Sequence, residues 1–462
     1  MISIAIFSRV FVLFFLSPIL LTACASLPEV GKLESTTLIP STPTIRDLDG
    51  PLSEEQSRSV LDRLEEQGHL TEEMKEHIAL VEAVSDAPLI AGNRVTLYKD
   101  APAAFDAMIE SIREAMYYVH LETFIFEDDE LGNRFADALI AKRKEGVEVC
   151  VLYDSYGSKG TSPEFWDRLR EADVKVLEFN PFTIVKSPTD DSLDYRDHRK
   201  ILVVDGKIAY TGGCNISGVY IPGAPPKSTY GDAPLPWRDM HVKIEGPAAT
   251  QFQTFFLDTW FRAGGPMISR LENIPVESAG KVLVTVLDNM PGQMNRNAYV
   301  LLISAIAHAR ESIHLIAPYF VPSEELLDSL KDAARRGVDV KIVIPEKTDS
   351  DFSGYAGRYY FRGLLKAGVK LYHYKGGMLH AKLAIFDGVW STVGSSNLDM
   401  RSFMTNDEVN ASILGRDFAN TLEEYFSGEL KNSEPLSLRK WRMRPLSERA
   451  MELRAHLFER WL

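Results

Sequence analysis

Cysteine is scarce in this chain, with three residues in 462, at Cys24, Cys150 and Cys214. So few exclude a disulfide scaffold. No paired CxxC and no HExxH suggests a zinc site. Positive charge is also short: 51 Lys and Arg against 65 Asp and Glu give a formal charge of −14. That argues against a broad cationic face for nucleic acid, but leaves room for a small basic pocket. Beyond the N-terminus no run approaches the ~20 apolar residues that cross a bilayer, so a multi-pass membrane domain is excluded. What remains is ordinary globular usage, 45% hydrophobic and 25% charged, in a chain long enough for two or three domains.

The N-terminus is an address. Arg9 precedes an apolar run from Val10 to Leu21, broken by Ser17 and Pro18 and too short for a comfortable span. The run ends in Leu21-Thr22-Ala23-Cys24, which resembles the lipobox of bacterial lipoproteins. The resemblance implies that residues 1–23 are a lipoprotein signal peptide and that Cys24 carries the lipid. Ala25 and Ser26 offer no aspartate-type retention signal, so the expected place is the outer membrane of the envelope, facing the periplasm. Residues 24–52, rich in Ser, Thr and Pro from residue 34 on, are expected to form a flexible tether. Residues 53–90 are expected to hold two short polar helices, the first opened by a Ser53/Gln56 capping box.

From there the chain says the same thing twice. VHLETFIF (119–126) and GVEVCVLYD (146–154) correspond to IHLIAPYF (313–320) and GVDVKIVIP (337–345). ADVKVLEF (172–179) corresponds to AGVKLYHY (367–374). Short Val/Ile/Leu runs separated by helical spacing predict α/β layers with a substantially parallel sheet. The expected fold is two tandem α-β-α sandwich domains, 91–275 and 276–432, related by a pseudo-twofold with a site at their interface. Residues 433–462 are expected to form a basic amphipathic C-terminal helix, which either lies at a membrane surface or packs on the second domain.

The halves agree best at His198-x-Lys200-x4-Asp205 with Asn215, and His380-x-Lys382-x4-Asp387 with Asn397, a constant offset of 182 residues (380 − 198). His and Lys two apart on a strand share a face. Doubling the set across a symmetry axis gathers two imidazoles, two ammoniums and two carboxamides. That suits phosphodiester chemistry: one imidazole attacks phosphorus and the other, protonated, gives its proton to the leaving oxygen. Lys200, Lys382, Asn215 and Asn397 would stabilise the transition-state charge. Two near-neutral imidazoles in opposite protonation states are the expectation. Lysine is a poor metal ligand, and its charge does what a metal would otherwise do, so no metal and no cofactor are expected.

These residues resemble the phospholipase D superfamily, with its duplicated HxKxxxxD signature, and more narrowly its bacterial cardiolipin synthases. The supporting details are LETFIF (121–126), Trp237-Arg238-Asp239-Met240-His241, and Ser396-Asn397-Leu398-Asp399-Met400-Arg401-Ser402 with Asn406 and Glu408. The resemblance implies a phosphatidyltransferase that makes cardiolipin from phosphatidylglycerol and a second phospholipid through a phosphohistidine. It implies His198 as nucleophile and His380 as acid and base, with Glu408 orienting His198 and Asp239 orienting His380. Asp205 and Asp387 would hold backbone and lysines rather than touch substrate. Hydrolysis by the same residues is the alternative, and a nuclease or a non-enzymatic tethered binder is less favoured. Phospholipid and membrane are the implied partners; the oligomeric state is open. His120, Glu122 and His241 are candidates to line the pocket, and the proline-rich segment 219–238 to overhang it. Cys150 and Cys214 are expected to be packing residues.

Overall fold

The computed structural model describes residues 27–181, 194–223, 236–268, 274–290 and 296–459. Cys24, the middle of the proline-rich segment and Trp461 lie outside the described residues. One mixed sheet runs through both halves. From the edge of the first half its strands are Lys175–Phe179, Glu148–Asp154, Tyr118–Thr123, Lys200–Val204, Ile208–Gly212, His241–Glu245 and Leu89–Tyr98. The order then repeats outward through the second half: Val282–Asn289, Asn406–Leu414, Trp390–Gly394, Leu383–Phe386, Ser312–Ile316, Asp339–Pro345 and Lys370–Tyr374. The seam is the antiparallel pair Leu89–Tyr98 and Val282–Asn289, and the pseudo-twofold passes through it.

The sheet is less parallel than the strand–helix–strand rhythm suggests. Of the fourteen strands just named, only the outer three of each half run parallel to one another. The motif strands instead turn back at once through an Asp-Gly hairpin. Asp205 and Gly206 both have positive φ, 52° and 64°, and Asp387 and Gly388 repeat this at 51° and 60°. Lys207 N donates to Val204 O and Val389 N to Phe386 O, each at 3.1 Å. These are two-residue turns of the primed kind, whose twist matches that of the flanking strands.

Helices Ala101–Glu114, Glu130–Lys144 and Pro163–Glu171 cover the outer face of the first half. Asn297–His308, Glu324–Arg335 and Asp351–Ala367 do the same for the second. Helices Ala249–Arg262 and Arg416–Lys431 fill the inner side. The inner core mixes both halves, with Val203, Val242 and Phe252 packed together with Ile385, Ala411 and Leu422. The repeat therefore divides the sequence, while one shared core joins the halves and fixes the site between them.

The flanks differ from expectation. Residues 45–51 are not a free spacer: Ile45–Asp47 pairs with Gly50–Pro51 and with Leu89–Ile90. Ile45 is fully buried, so an apolar residue draws the segment onto the start of the seam strand Leu89–Tyr98. Upstream, helix Val30–Thr36 is held by Val30 N donating to Glu325 Oε1 at 2.9 Å. Helix Glu54–Glu66 opens with the Ser53/Gln56 capping box, and helix Glu72–Ser85 follows. The C-terminal stretch is a short strand, Ser433–Pro435, then helices Leu438–Arg442 and Leu446–Leu457. No described helix is long and apolar enough to cross a membrane.

Candidate active site

Each motif histidine is delivered by a strand that reaches into the opposite half. Arg196–Asp197 pairs in parallel with Asn406–Asp407, and His198 N donates to Asp407 O at 2.9 Å. Reciprocally, Leu379 bridges to Arg238, and His380 N donates to Arg238 O at 2.6 Å. The next residue or two along each partner strand is an acid. The Nδ1 atom of His198 lies 3.0 and 3.1 Å from the two carboxylate oxygens of Glu408. That of His380 lies 2.8 Å from Asp239 Oδ2.

The lysines stand beside their histidines. Lys200 Nζ donates to His198 O at 2.6 Å, and Lys382 Nζ to His380 O at 2.7 Å. Lys382 Nζ is also 3.0 Å from His380 Nε2. Phe124 meets His198 edge-on at 5.0 Å, with the Lys200 ammonium 5.3 Å from the same ring. The two sets sense one another: the Lys382 charge acts on His198 and Lys200, the Lys200 charge acts on His380, and Glu408 and Asp239 act on both lysines. The four motif side chains are all buried, so they form one electrostatic unit.

Burial sets the protonation of this unit. It pushes Lys200 down to about 7 and Lys382 down to about 8. It lowers His198 well below the usual imidazole range, with Lys200 and Lys382 pushing the same way. His380 is lowered to about 4 by burial and by Lys382, against Asp239. The imidazoles are therefore not in opposite protonation states, as the sequence suggested; both are neutral near pH 7. Burial lifts Glu408 to about 7. Asp239 goes the other way: burial acts to raise it, but His380 and Lys382 together outweigh that. Burial suppresses the charge of lysines and imidazoles alike, and a bound phosphodiester anion would favour their charged forms.

Asp205 and Asp387 stand at the far ends of their strands. Asp205 accepts from the amides of Met116, Tyr117 and Tyr118 at 2.8–2.9 Å. Asp387 accepts from those of Arg310, Glu311 and Ser312 at the same distances. They pin backbone, while the lysines reach to the histidine carbonyls instead. Asn215 Oδ1 accepts from Ile125 N at 3.3 Å, and its Nδ2 lies 3.4 Å from the Tyr220 hydroxyl. Asn397 N donates to Ser402 Oγ at 3.0 Å, and its Oδ1 is buried without a partner. At Gly213 a Cβ would collide with the Asp239 carboxylate, so this glycine is what lets the acid stand behind His380.

Three other candidates lie beneath the pocket. His120 is sandwiched between Tyr118 and Phe256 at 4.7 and 4.5 Å, and Glu122 faces the fully buried Arg199 at 3.8 Å. His241 is fully buried, and neither ring nitrogen has a partner. Cys150 and Cys214 are both buried, and burial pushes their thiols up, Cys150 to about 12. Among the described residues no group of three or more His, Cys, Asp or Glu is placed to hold a metal ion.

Several neighbours had no role assigned from the sequence. Ser395 and Ser402 donate to the two oxygens of Glu408, and the Tyr220 hydroxyl lies 3.3 Å from His380 Nδ1. Extending the 182-residue offset beyond the asparagines would have paired Ser402 with Tyr220. Trp237 and Tyr319 add ring contacts to His380 at 5.0 and 6.2 Å.

Residues 108–220 and 302–430 match the family described as cardiolipin synthase, PLD-like domain. The chain belongs to that family. Each matched segment of this cardiolipin synthase-type chain contains one motif with its asparagine; Glu408 falls inside the second, and Asp239 lies just beyond the first. Cardiolipin synthase of Geobacillus sp. (strain WCH70) is 35% identical over 84% of this chain and 76% of its own length. The major cardiolipin synthase ClsA of Bacillus subtilis (strain 168) is 36% identical over 78% of this chain and 73% of its own. The crystal structure of phosphatidylserine synthase from Haemophilus influenzae Rd KW20 superposes with a TM-score of 0.64 at 14% identity, covering 82% of this chain and 98% of that one. The last likeness speaks to the fold alone.

Proposed function

We propose that the protein is a phosphatidyltransferase that forms cardiolipin from phosphatidylglycerol and a second phospholipid. One observation carries the chemistry: each imidazole has its Nδ1 against a buried carboxylate from the opposite half, which leaves Nε2 as the reacting nitrogen. His198 Nε2 attacks phosphorus, an N–P bond forms, and the P–O bond to the departing alcohol breaks. The arriving phosphodiester raises the imidazole basicity that burial and the lysines suppress, and His380 delivers the proton to the leaving oxygen. In the second step His380 takes the proton of the incoming lipid alcohol, its oxygen attacks phosphorus, and His198 is released. Lys200 and Lys382 hold the phosphoryl oxygens, with Asn215 and Asn397 beside them, and no metal or cofactor takes part.

Phospholipid family relatives and the lipobox-like segment support the rest of the reading. The mature chain starts at Cys24, carries acyl chains there, and works on the periplasmic side of the outer membrane. Expression in cells that lack cardiolipin, followed by lipid extraction, tests the activity. Cardiolipin should appear, and it should be lost in His198→Asn. Phosphatidic acid without cardiolipin would replace transfer by hydrolysis.

A further inference from the structure

The last helix, Leu446–Leu457, is turned inside out. At 100° per residue Leu446, Ala450, Leu453 and Leu457 form one apolar stripe. That stripe faces out: Leu446 is 77% exposed, Leu453 50% and Leu457 71%. The polar stripe is the one that packs. Glu448 and Glu452 take Arg358, Glu452 also takes Arg444 at 2.5 Å, and the Glu459 carboxylate just past the helix accepts from the Tyr360 hydroxyl at 2.6 Å. On that side Ala455 also packs with Val321 and Ala356, and His456 stacks on Tyr359 at 3.8 Å, while the leucine stripe is left over. Contiguous apolar surface rimmed by polar groups marks a contact site rather than a packing remnant.

Three observations select what lies against it. First, Arg449 and Arg454 are exposed and border the stripe on either side, at −60° and +80° from Leu446 on the helical wheel. Two copies meeting face to face would oppose these arginines, whereas an anionic surface would receive them; the −14 charge of the chain otherwise opposes such a surface. Second, the end of this helix and the start of the described chain come together. Tyr360, which holds Glu459, also senses Glu324, and the adjacent Glu325 holds Val30, six residues after Cys24. Third, the helix is close to the chemistry. Its anchor Arg358 lines the same small cavity as Tyr319, whose ring meets His380.

We infer that Leu446–Leu457 docks on an anionic phospholipid bilayer, with its leucines at the acyl boundary and Arg449 and Arg454 among the lipid phosphates. It rests on the proposed phospholipid activity only in naming the surface. The helix presents the second half to the membrane, on the side where the described chain begins.

The test uses the full chain with Leu453→Cys carrying an environment-sensitive fluorophore, mixed with phosphatidylglycerol vesicles that contain a spin-labelled quencher lipid. Cys150 and Cys214 are buried and should stay unlabelled. Quenching should be at least twofold, should fall in phosphatidylcholine vesicles, and should be absent for a probe at the exposed Lys144→Cys. Because an acyl anchor would hold both proteins at the vesicle, the two sites separate docking of this face from tethering. Arg449→Glu with Arg454→Glu should abolish the quenching at an unchanged melting temperature. Equal quenching at both sites, or none at Leu453→Cys, overturns the inference. So does a probe that is shielded without vesicles in a concentration-dependent way, which would make the occupant a second copy. Quenching is read in a His198→Asn background, which cannot turn over the vesicle lipid, so loss of cardiolipin formation and loss of docking are told apart.

Discussion

Glu408 and His198 stand 210 residues apart in sequence and 3.0 Å apart in space. The contact exists because the strand that ends in His198 pairs with the one that leads to Glu408. Asp239 and His380 repeat it with the halves exchanged, at 2.8 Å. Neither half can complete its own imidazole–carboxylate pair, so chemistry requires both.

Replacing either acid by its amide keeps the shape but removes the charge that fixes the imidazole tautomer. Glu408→Gln and Asp239→Asn should each lower kcat by about 10²- to 10⁴-fold with little change in KM. Steady-state kinetics on mixed micelles checks this; a change confined to KM would move the acids from orientation to binding.

The lysines make anion binding proton-linked. Lys200 lies at about 7 and Lys382 at about 8, and a phosphodiester anion should raise both. Binding then takes up protons above pH 7, and above pH 8 affinity should fall by up to about tenfold per pH unit for each lysine that stays protonated in the complex. Titration calorimetry of a short-chain phosphodiester in two buffers of different ionisation heat should show the uptake. The stability of the protein alone follows from the same shifts. Folded lysines lie below their unfolded value of 10.5, so the unfolded chain binds more protons, and this contribution raises stability from pH 7 to 10. Glu408, lifted from 4.5 to about 7, contributes stability that is lost as pH rises over that interval.

Asp205 and Asp387 should matter for folding rather than turnover. Each accepts three backbone amides at the start of a neighbouring strand. Asn tolerates the positive φ of the turn but turns an acceptor into a donor. Asp205→Asn should therefore cost about 1–3 kcal/mol in denaturant unfolding. The folded fraction should turn over at close to the wild-type rate.

Much of this was legible in the sequence because the repeat is legible. The 182-residue register names both motifs, and the alternation of His and Lys on a strand puts them on one face. The resemblance supplied Asp239 and Glu408, and the backbone pairing that brings them across the pseudo-twofold is not visible in either half alone. The Asp-Gly hairpins were readable from Asp205-Gly206 and Asp387-Gly388, but the βαβ rhythm around them suggested parallel strands. The neutrality of His198 and His380 was hidden, since it comes from burial and from the lysines of both halves. The apolar stripe of Leu446–Leu457 was readable as a pattern. Its outward direction was not, because Arg358 and Tyr360, which hold the other face, lie nearly a hundred residues upstream.

The most direct test of the shared site is to trap the covalent enzyme. His380→Asn, incubated with labelled phosphatidylglycerol, quenched and digested, should carry the phosphatidyl group on His198, while His198→Asn should carry none. Label on His380 in the His198→Asn protein, or none in the wild type and both variants, would contradict the mechanism.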